Sequence, residues 1–193
     1  MKSQNKIILY FIALSTIFIP GCEQSYVPKP RAFFRIDLPK KEYKQLETPC
    51  PFTFEYPVYA KVLPDIRPET ESCWMNIDFP QFKARIHLSY KRLNNDVAKY
   101  LEDSRTLTYK HIAKATDIRE NVFVNDTNRT YGLIYDIEGD AASNLQFYVT
   151  DSTRHFVRGA LYFNAPPNQD SLSPVLNFIK KDVYQMMETF QWK

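Results

Sequence analysis

The cysteine Cys22 stands where an apolar run gives way to polar, proline-rich sequence. It ends the stretch IPGC (19–22), with an aliphatic residue three positions before the cysteine and glycine directly before it. Bacteria attach diacylglycerol to a cysteine thiol at this pattern. Residues 1–6 carry two lysines and no acid, and residues 7–19 are almost wholly apolar, as in a secretory leader too short to span a membrane. We predict cleavage before Cys22 and lipidation of its thiol. The alternative is an uncleaved leader, or one cut elsewhere, with Cys22 incidental.

Two further cysteines, Cys50 and Cys73, are the remaining thiols of the exported chain. Export places them in an oxidising setting, where disulfides persist. A disulfide between them closes a loop of roughly 24 residues and stabilises the fold by about 3 kcal/mol. The alternative is a pair of buried free thiols. A metal site is not predicted, because neither cysteine has a CxxC partner or a neighbouring histidine.

The stretch DSTRH (151–155) places Ser152 and His155 near each other in sequence, which raises the question of a serine hydrolase. No G-x-S-x-G elbow surrounds the serine, and a hairpin turn explains Asp, Ser and Thr here, because their side chains hydrogen-bond turn backbone. His87 is expected on the solvated face of a strand, and His111 at the edge of a buried helical stripe. The three histidines lack metal-ligand spacing. No catalytic residue, metal site or cofactor is predicted.

Two serines match a short pattern for O-glycosylation of exported bacterial proteins, in which Asp is followed by Ser or Thr and then by an aliphatic residue or Thr. They are Ser152 in DST (151–153) and Ser171 in DSL (170–172). Both are candidate modification sites. The pattern is only three residues long, so the alternative is a chance match.

The charge balance of the mature chain argues against nucleic acid as a partner. Removing residues 1–21 takes away two lysines and no acids, which leaves 23 basic against 22 acidic residues. A near-neutral chain of this kind lacks the basic surface that binds phosphate backbones. No second apolar run approaches 18 residues, so the membrane is reached through the lipid anchor alone.

The mature chain divides into a tether and one domain. Residues 1–21 are the predicted signal peptide, and residues 22–48 the lipidated cysteine, a Pro-rich tether and a lead-in strand over 32–38. Residues 49–193 suit a single domain with a sizeable core. Its predicted strands cover residues 52–56, 73–79, 83–91, 129–137, 144–150 and 155–163. Its predicted helices are residues 94–115, with an apolar stripe that includes Leu107 or Thr108 and Ile112, and a second that opens at Ser173-Pro174 and runs to Phe190.

Strands, a helix, a meander of strands and a final helix predict an α+β fold, with helices packed on an antiparallel sheet. The pattern resembles the PsbP/Mog1-type sandwich, including an early F-x-F-x-Y-P at 52–57. This is an analogy of fold and implies little about function.

Several stretches together resemble the gliding-motility lipoprotein GldD family of Bacteroidetes. They cover nearly the whole mature chain, namely YVPKPRAFFRIDLPKKEY (26–43), CPFTFEYPVYA (50–60), CWMNIDFPQFKARIHLSYK (73–91), EDSRTLTYKHIAKA (102–115) and SNLQFYVTDSTRHFVRGALYFNAPPNQDSLSPV (143–175). The resemblance implies an envelope-anchored, non-enzymatic component needed for movement over surfaces, with protein partners in the gliding and type IX secretion apparatus. Of the functional residues only Cys22 carries over, as the lipid attachment site.

Two other functions remain open from the sequence. One is a periplasmic module that binds a small ligand or glycan, and the other is an envelope hydrolase. The residues after Cys22 contain no acidic run of the kind associated with surface export. We therefore expect a lipoprotein of the outer membrane that faces the periplasm.

Overall fold

The computed structural model describes residues 35–193, so the predicted signal peptide, Cys22 and the chain up to residue 34 lie outside it. Its strands are β1 Tyr43–Gln45, β2 Phe52–Thr53, β3 Glu55–Pro57, β4 Lys61–Pro64, β5 Met75–Phe79, β6 Ala84–Arg92, β7 Ala115–Asn125, β8 Thr130–Gly139, β9 Leu145–Thr150, β10 His155–Phe163 and β11 Gln191–Trp192. Its helices are α1 Val97–Tyr109 and α2 Gln169–Glu188, with a short 3-10 helix at Pro80–Phe82.

One sheet of seven strands, in the order β4-β5-β6-β10-β9-β8-β7, forms the centre of the fold. Every neighbouring pair in it is antiparallel. Two small ladders, β1 with β3 and β2 with β11, lie outside this sheet. The predicted α+β class, an antiparallel sheet with packed helices, is confirmed.

The main core lies between the sheet and α2. The alternation predicted for residues 83–91 is confirmed, because Ala84, Ile86, Leu88 and Tyr90 of β6 are all buried in this core. The apolar stripe of α2 joins the same cluster through Leu176, Ile179, Val183 and Met187. In β10 the absence of a side chain at Gly159 admits the ring of Phe147, which a Cβ atom would meet at 2.1 Å.

Helix α1 covers the opposite face of the sheet. Phe156 and Gln146 alternate with residues that face α2, and the ring of Phe156 stacks on Tyr100 of α1 at 5.6 Å between centroids. The buried residues of α1 are the small polar ones, Ser104 and Thr108. The prediction that the buried stripe contains Leu107 or Thr108 is therefore correct for Thr108 and wrong for Leu107, which is exposed. The reason is that this face of the sheet is itself polar beneath α1, where Thr108 donates to Gln146.

Helix α1 is also shorter than predicted. It ends at Tyr109, so Ile112 lies beyond the helix and is 62% exposed. The chain then enters β7, an eleven-residue strand that was not predicted. Among residues 35–193, β7 pairs with β8 alone, as an edge strand, and leaves Val122 76% exposed. An edge strand buries too little for a clear apolar alternation.

The second helix begins earlier than predicted. Asn168 caps α2 by accepting the amide of Ser171, whereas Ser173, the predicted cap, lies inside the helix and donates to the carbonyl of Gln169. Pro174 also lies inside the helix. An asparagine ahead of the serine is an equally good cap, and this one starts the helix a turn earlier.

The chain ahead of residue 49 takes part in the packing. Residues 35–38 form no strand, which is a correction to the described part of the predicted lead-in strand at 32–38. Strand β1 at Tyr43–Gln45 pairs with β3 instead, and Leu46 is buried in the main core. The Tyr43 hydroxyl also donates to Asp182 of α2, a contact that no local alternation reveals.

Candidate functional site

The predicted disulfide residues are close in space. Cys50 and Cys73 are joined by a disulfide in the structure, with their Cα atoms 5.7 Å apart. Cys50 lies in the main core just before β2, and Cys73 packs against that core just before β5. The bridge therefore links the chain entering the domain to an inner strand of the sheet, and its presence in solution stays a prediction.

The carboxylate of Asp182 binds the chain between the predicted anchor and the domain. Lys41 Nζ donates to Asp182 Oδ1 at 2.6 Å, and the Tyr43 hydroxyl donates to the same oxygen at 3.0 Å. The Tyr59 hydroxyl donates to Asp182 Oδ2 at 2.6 Å. Asp182 lies on the buried side of α2 and is only 2% exposed. We call these four residues the Asp182 clasp.

Lys41 also contacts Phe178 of α2, which lies next to the clasp. Its Nζ atom lies 3.3 Å from the centroid of the Phe178 ring and donates to the Phe178 carbonyl oxygen at 2.9 Å. It also donates to the Tyr59 hydroxyl at 2.8 Å. A cation over an aromatic face and paired with a buried carboxylate is well held. Lys41 is therefore held against α2 by its charge and by its hydrogen bonds.

Burial is the main influence on the pKa values in the clasp. It raises the pKa of the Tyr43 and Tyr59 hydroxyls, and the charge and hydrogen bonds of Asp182 raise them further. Burial lowers the pKa of Lys41, while Asp182 partly restores it by hydrogen bond and charge. Both tyrosines therefore stay protonated and donate to Asp182 throughout the physiological pH range.

The structure does not bring Ser152 and His155 together. Asp151 Oδ1 accepts the backbone amides of Thr153, Arg154 and His155 at 2.7–3.0 Å, which makes this stretch a side-chain-braced hairpin turn. His155 Nδ1 lies 2.9 Å from the Tyr90 hydroxyl. Within residues 35–193 no hydrogen bond joins Ser152 to His155, so the geometry favours the turn interpretation.

The other two histidines are both half-buried. His87 was expected to be solvated, and this is wrong, because Nδ1 lies 2.6 Å from Asn76 Oδ1 on the neighbouring strand β5 and the ring packs against Tyr162. His111 is partly covered, as expected. In the described part of the chain, no group of three or more His, Cys, Asp or Glu side chains is placed to hold a metal ion.

The two candidate glycosylation serines are both exposed. Ser152 is at the tip of the β9–β10 turn in a left-handed conformation, with φ of 64°. Ser171 lies in the first turn of α2, where its amide donates to Asn168. Their modification stays a prediction.

The chain is similar in sequence to one known protein family. The sequence model described as gliding motility lipoprotein GldD matches residues 23–192, which is nearly all of the sequence after Cys22. The chain belongs to the GldD gliding motility lipoprotein family. A comparison with curated proteins finds no significant match. The solution structure of cyanobacterial PsbP (CyanoP) from Synechocystis sp. PCC 6803 is similar with a TM-score of 0.49 and 9% identity, covering 81% of this chain and 95% of that one.

Membership of the GldD family associates the chain with gliding motility and with the cell envelope, where a lipoprotein is held by its lipid. Neither helix within residues 35–193 is long and apolar enough to cross a membrane. In this GldD-family domain the Asp182 clasp lies where the predicted tether enters the fold. Sequence reasoning missed the clasp, because Lys41 and Asp182 are 141 positions apart.

Because three histidines are half-buried, we expect the folded protein to lose stability in mild acid. Burial is the first cause that lowers the pKa of His87, His111 and His155 in the folded protein. Below about pH 6.5 the unfolded chain therefore binds more protons than the folded chain, so the free energy of unfolding falls as the pH drops from 7.5 to 5. Urea denaturation at the two pH values measures this fall. His155→Phe is expected to reduce the difference, and an unchanged stability at pH 5 contradicts the prediction.

Proposed function

We propose that this GldD-family lipoprotein supports the assembly or operation of the gliding and type IX secretion machinery by binding protein partners from a lipid-tethered position, without catalysis. The observation that carries the proposal is the family match, which begins at residue 23, directly after the predicted lipidated cysteine. The anchor at Cys22 places the domain at a membrane surface. We further propose that this surface is the periplasmic leaflet of the outer membrane.

The Asp182 clasp supports a role that depends on position. Lys41 and Tyr43 fix the chain that enters the domain to α2 through a buried carboxylate. Two or three acyl chains hold a protein stably in a membrane, because each buried methylene contributes about 0.8 kcal/mol. We expect the anchor to keep the domain near the membrane, while the clasp holds the chain from Lys41 onward against the domain.

The test compares a deletion strain that carries the wild-type gene with one that carries Cys22→Ala. At equal protein level, we expect the variant to lose both colony spreading and secretion of exported proteins, because the domain is no longer held at the membrane. Ser25→Ala is the matched control, since it changes a neighbouring tether residue and leaves the lipid attachment site intact. Full restoration of both activities by Cys22→Ala would contradict the proposal and favour a diffusible binding role.

The leaflet is tested separately. Protease added to intact cells is expected to leave the domain whole, and protease added after the outer membrane is permeabilised is expected to digest it. Digestion in intact cells would place the domain on the outer surface instead.

A further inference from the structure

A cleft of about 300 Å³ lies between α1 and the sheet, on the face opposite the main core. Its walls are aromatic, with Trp74 from the end of the β4–β5 loop, Tyr100 from α1 and Phe156 from β10. The rings of Tyr100 and Phe156 are stacked, and the Trp74 indole Nε1 donates to the Tyr90 carbonyl oxygen at 3.0 Å. These hydrogen bonds and ring contacts hold the walls in place. We call this the Arg158 cleft, after the cation that lines it.

Arg158 is half-buried in the cleft. Its Nη2 donates to Gln146 Oε1, and no Asp or Glu oxygen within residues 35–193 lies within 4.0 Å of its guanidinium. Burial lowers the pKa of Arg158, because a cation removed from water without a counter-ion is costly. The charge of Arg158 also contributes, after burial, to lowering the pKa of His111.

The other cations lining the cleft are already neutralised. Arg67 binds Asp65 through two nitrogens, and Lys91 pairs with Glu71. Among the described residues that line the cleft, Arg158 therefore carries the one lysine or arginine charge without an acidic partner. The remaining carboxylate of the lining, Asp103, is exposed on α1.

A second polar group in the cleft lacks a partner. Ser104 is 2% exposed and lines the cleft from α1, yet its Oγ has no hydrogen-bond partner in the described part of the chain. A buried hydroxyl without a partner costs about 1–3 kcal/mol. Within residues 35–193, a guanidinium without an acidic partner and a hydroxyl without a hydrogen-bond partner line one aromatic cleft, and both are donors that an anionic acceptor would satisfy.

The hydrogen bond that Arg158 donates to Gln146 does not by itself explain why an arginine stands at this position. Gln146 Oε1 already accepts the hydroxyl of Thr108 at 3.2 Å, so a neutral apolar residue at position 158 would leave that oxygen satisfied. It would also avoid the cost of a desolvated charge. The charge therefore fits a role in binding better than a role in folding.

We propose that the Arg158 cleft binds the carboxylate of a ligand that carries an apolar or aromatic group beside it. The planar guanidinium offers a fork of N–H donors that matches a carboxylate, and the Ser104 hydroxyl supplies a further donor. The adjoining apolar group packs against Trp74 and Tyr100. Such a carboxylate belongs either to a small acid or to the C-terminus of a peptide. The proposal does not depend on the motility role.

Calorimetric titration of the purified mature protein tests the proposal with paired probes. N-acetylphenylalanine is expected to bind and N-acetylphenylalaninamide, which lacks the charge, is not. A peptide ending in Leu-Phe, with a free or an amidated C-terminus, separates the two sources of the carboxylate. Arg158→Gln is expected to weaken binding of the acid about tenfold or more, whereas Arg105→Gln, an exposed arginine of α1, leaves it unchanged.

Three results would overturn the proposal. The first is equal binding of acid and amide, the second is unchanged binding by Arg158→Gln, and the third is no binding of either acidic probe up to about 10 mM. Should Arg158→Gln fail to fold, Ser104→Ala provides the second variant, with an expected loss of about 2–10-fold in affinity and no loss of stability.

Thermal unfolding separates binding from structural support. Arg158→Met keeps an unbranched side chain, although a shorter one, and removes a charge that has no acidic partner among residues 35–193, so Tm is expected to stay equal or to rise by about 2–4 °C while binding is lost. A fall in Tm together with lost binding would assign Arg158 to the support of the fold and contradict the proposed site.

Discussion

Replacing Asp182 by alanine is expected to lower the free energy of unfolding by about 3–5 kcal/mol, because removing one partner of a buried ion pair leaves the other without compensation. Asp182 accepts hydrogen bonds from Lys41, Tyr43 and Tyr59, and all three donors lose their acceptor together. Urea denaturation of the purified protein measures the loss. The same variant is expected to expose the chain around Lys41 to trypsin, because the clasp no longer holds it to α2.

Two further variants locate the effect in the clasp. Glu188→Ala removes an exposed carboxylate from the same helix and is expected to change the stability by less than about 0.5 kcal/mol. Lys41→Met is also expected to destabilise the fold, because it leaves the carboxylate of Asp182, which is only 2% exposed, without a cation. Stability of Asp182→Ala equal to that of Glu188→Ala would contradict the clasp as a stabilising element.

Loss of the disulfide is expected to destabilise the domain by about 3 kcal/mol, or about 6–12 °C in Tm. The loop between Cys50 and Cys73 contains the β2–β3 segment, edge strand β4 and a stretch with several exposed residues. The cross-link limits the freedom of this loop in the unfolded chain. Comparison of thermal unfolding with and without reductant measures the effect, and the double variant Cys50→Ala, Cys73→Ala should match the reduced protein.

Thiol labelling tests the bridge itself. When the denatured protein is treated with a thiol reagent without reductant, Cys50 and Cys73 are expected to stay unlabelled. After reductant is added, both are expected to be labelled. Labelling without reductant would show that the bridge is absent and favour the free-thiol alternative. Variant Cys22→Ala removes the third cysteine, so that any label in this chain reports on the other two.

These two features act at neighbouring points of the chain. The clasp fixes residues 41–43 to α2, and the disulfide fixes residue 50 to the segment that enters β5. Both links therefore join the chain that enters the domain to distant parts of the fold.

The sequence by itself was enough to predict the elements that bury one face against the core. Strand β6 alternates strictly between apolar and polar residues, and β10 was predicted with its observed bounds, 155–163. The apolar stripe of α2 was predicted for the same reason. Each of these elements packs one face against the main core, so its apolar residues recur at the positions that are buried. The resemblance to the GldD family covered nearly the whole mature chain, because it depends on residue order alone.

Only the tertiary structure decided the elements and sites whose residues have no local pattern. Strand β7 lies at an edge and α1 packs through Ser104 and Thr108, so neither displays the periodicity of its class. The Asp182 clasp and the Arg158 cleft join residues far apart in the chain, and a carboxylate or a guanidinium in a helix or strand looks solvated until its neighbours are known. Periodicity reports what one element buries, whereas the pairing of charges depends on which elements the fold brings together.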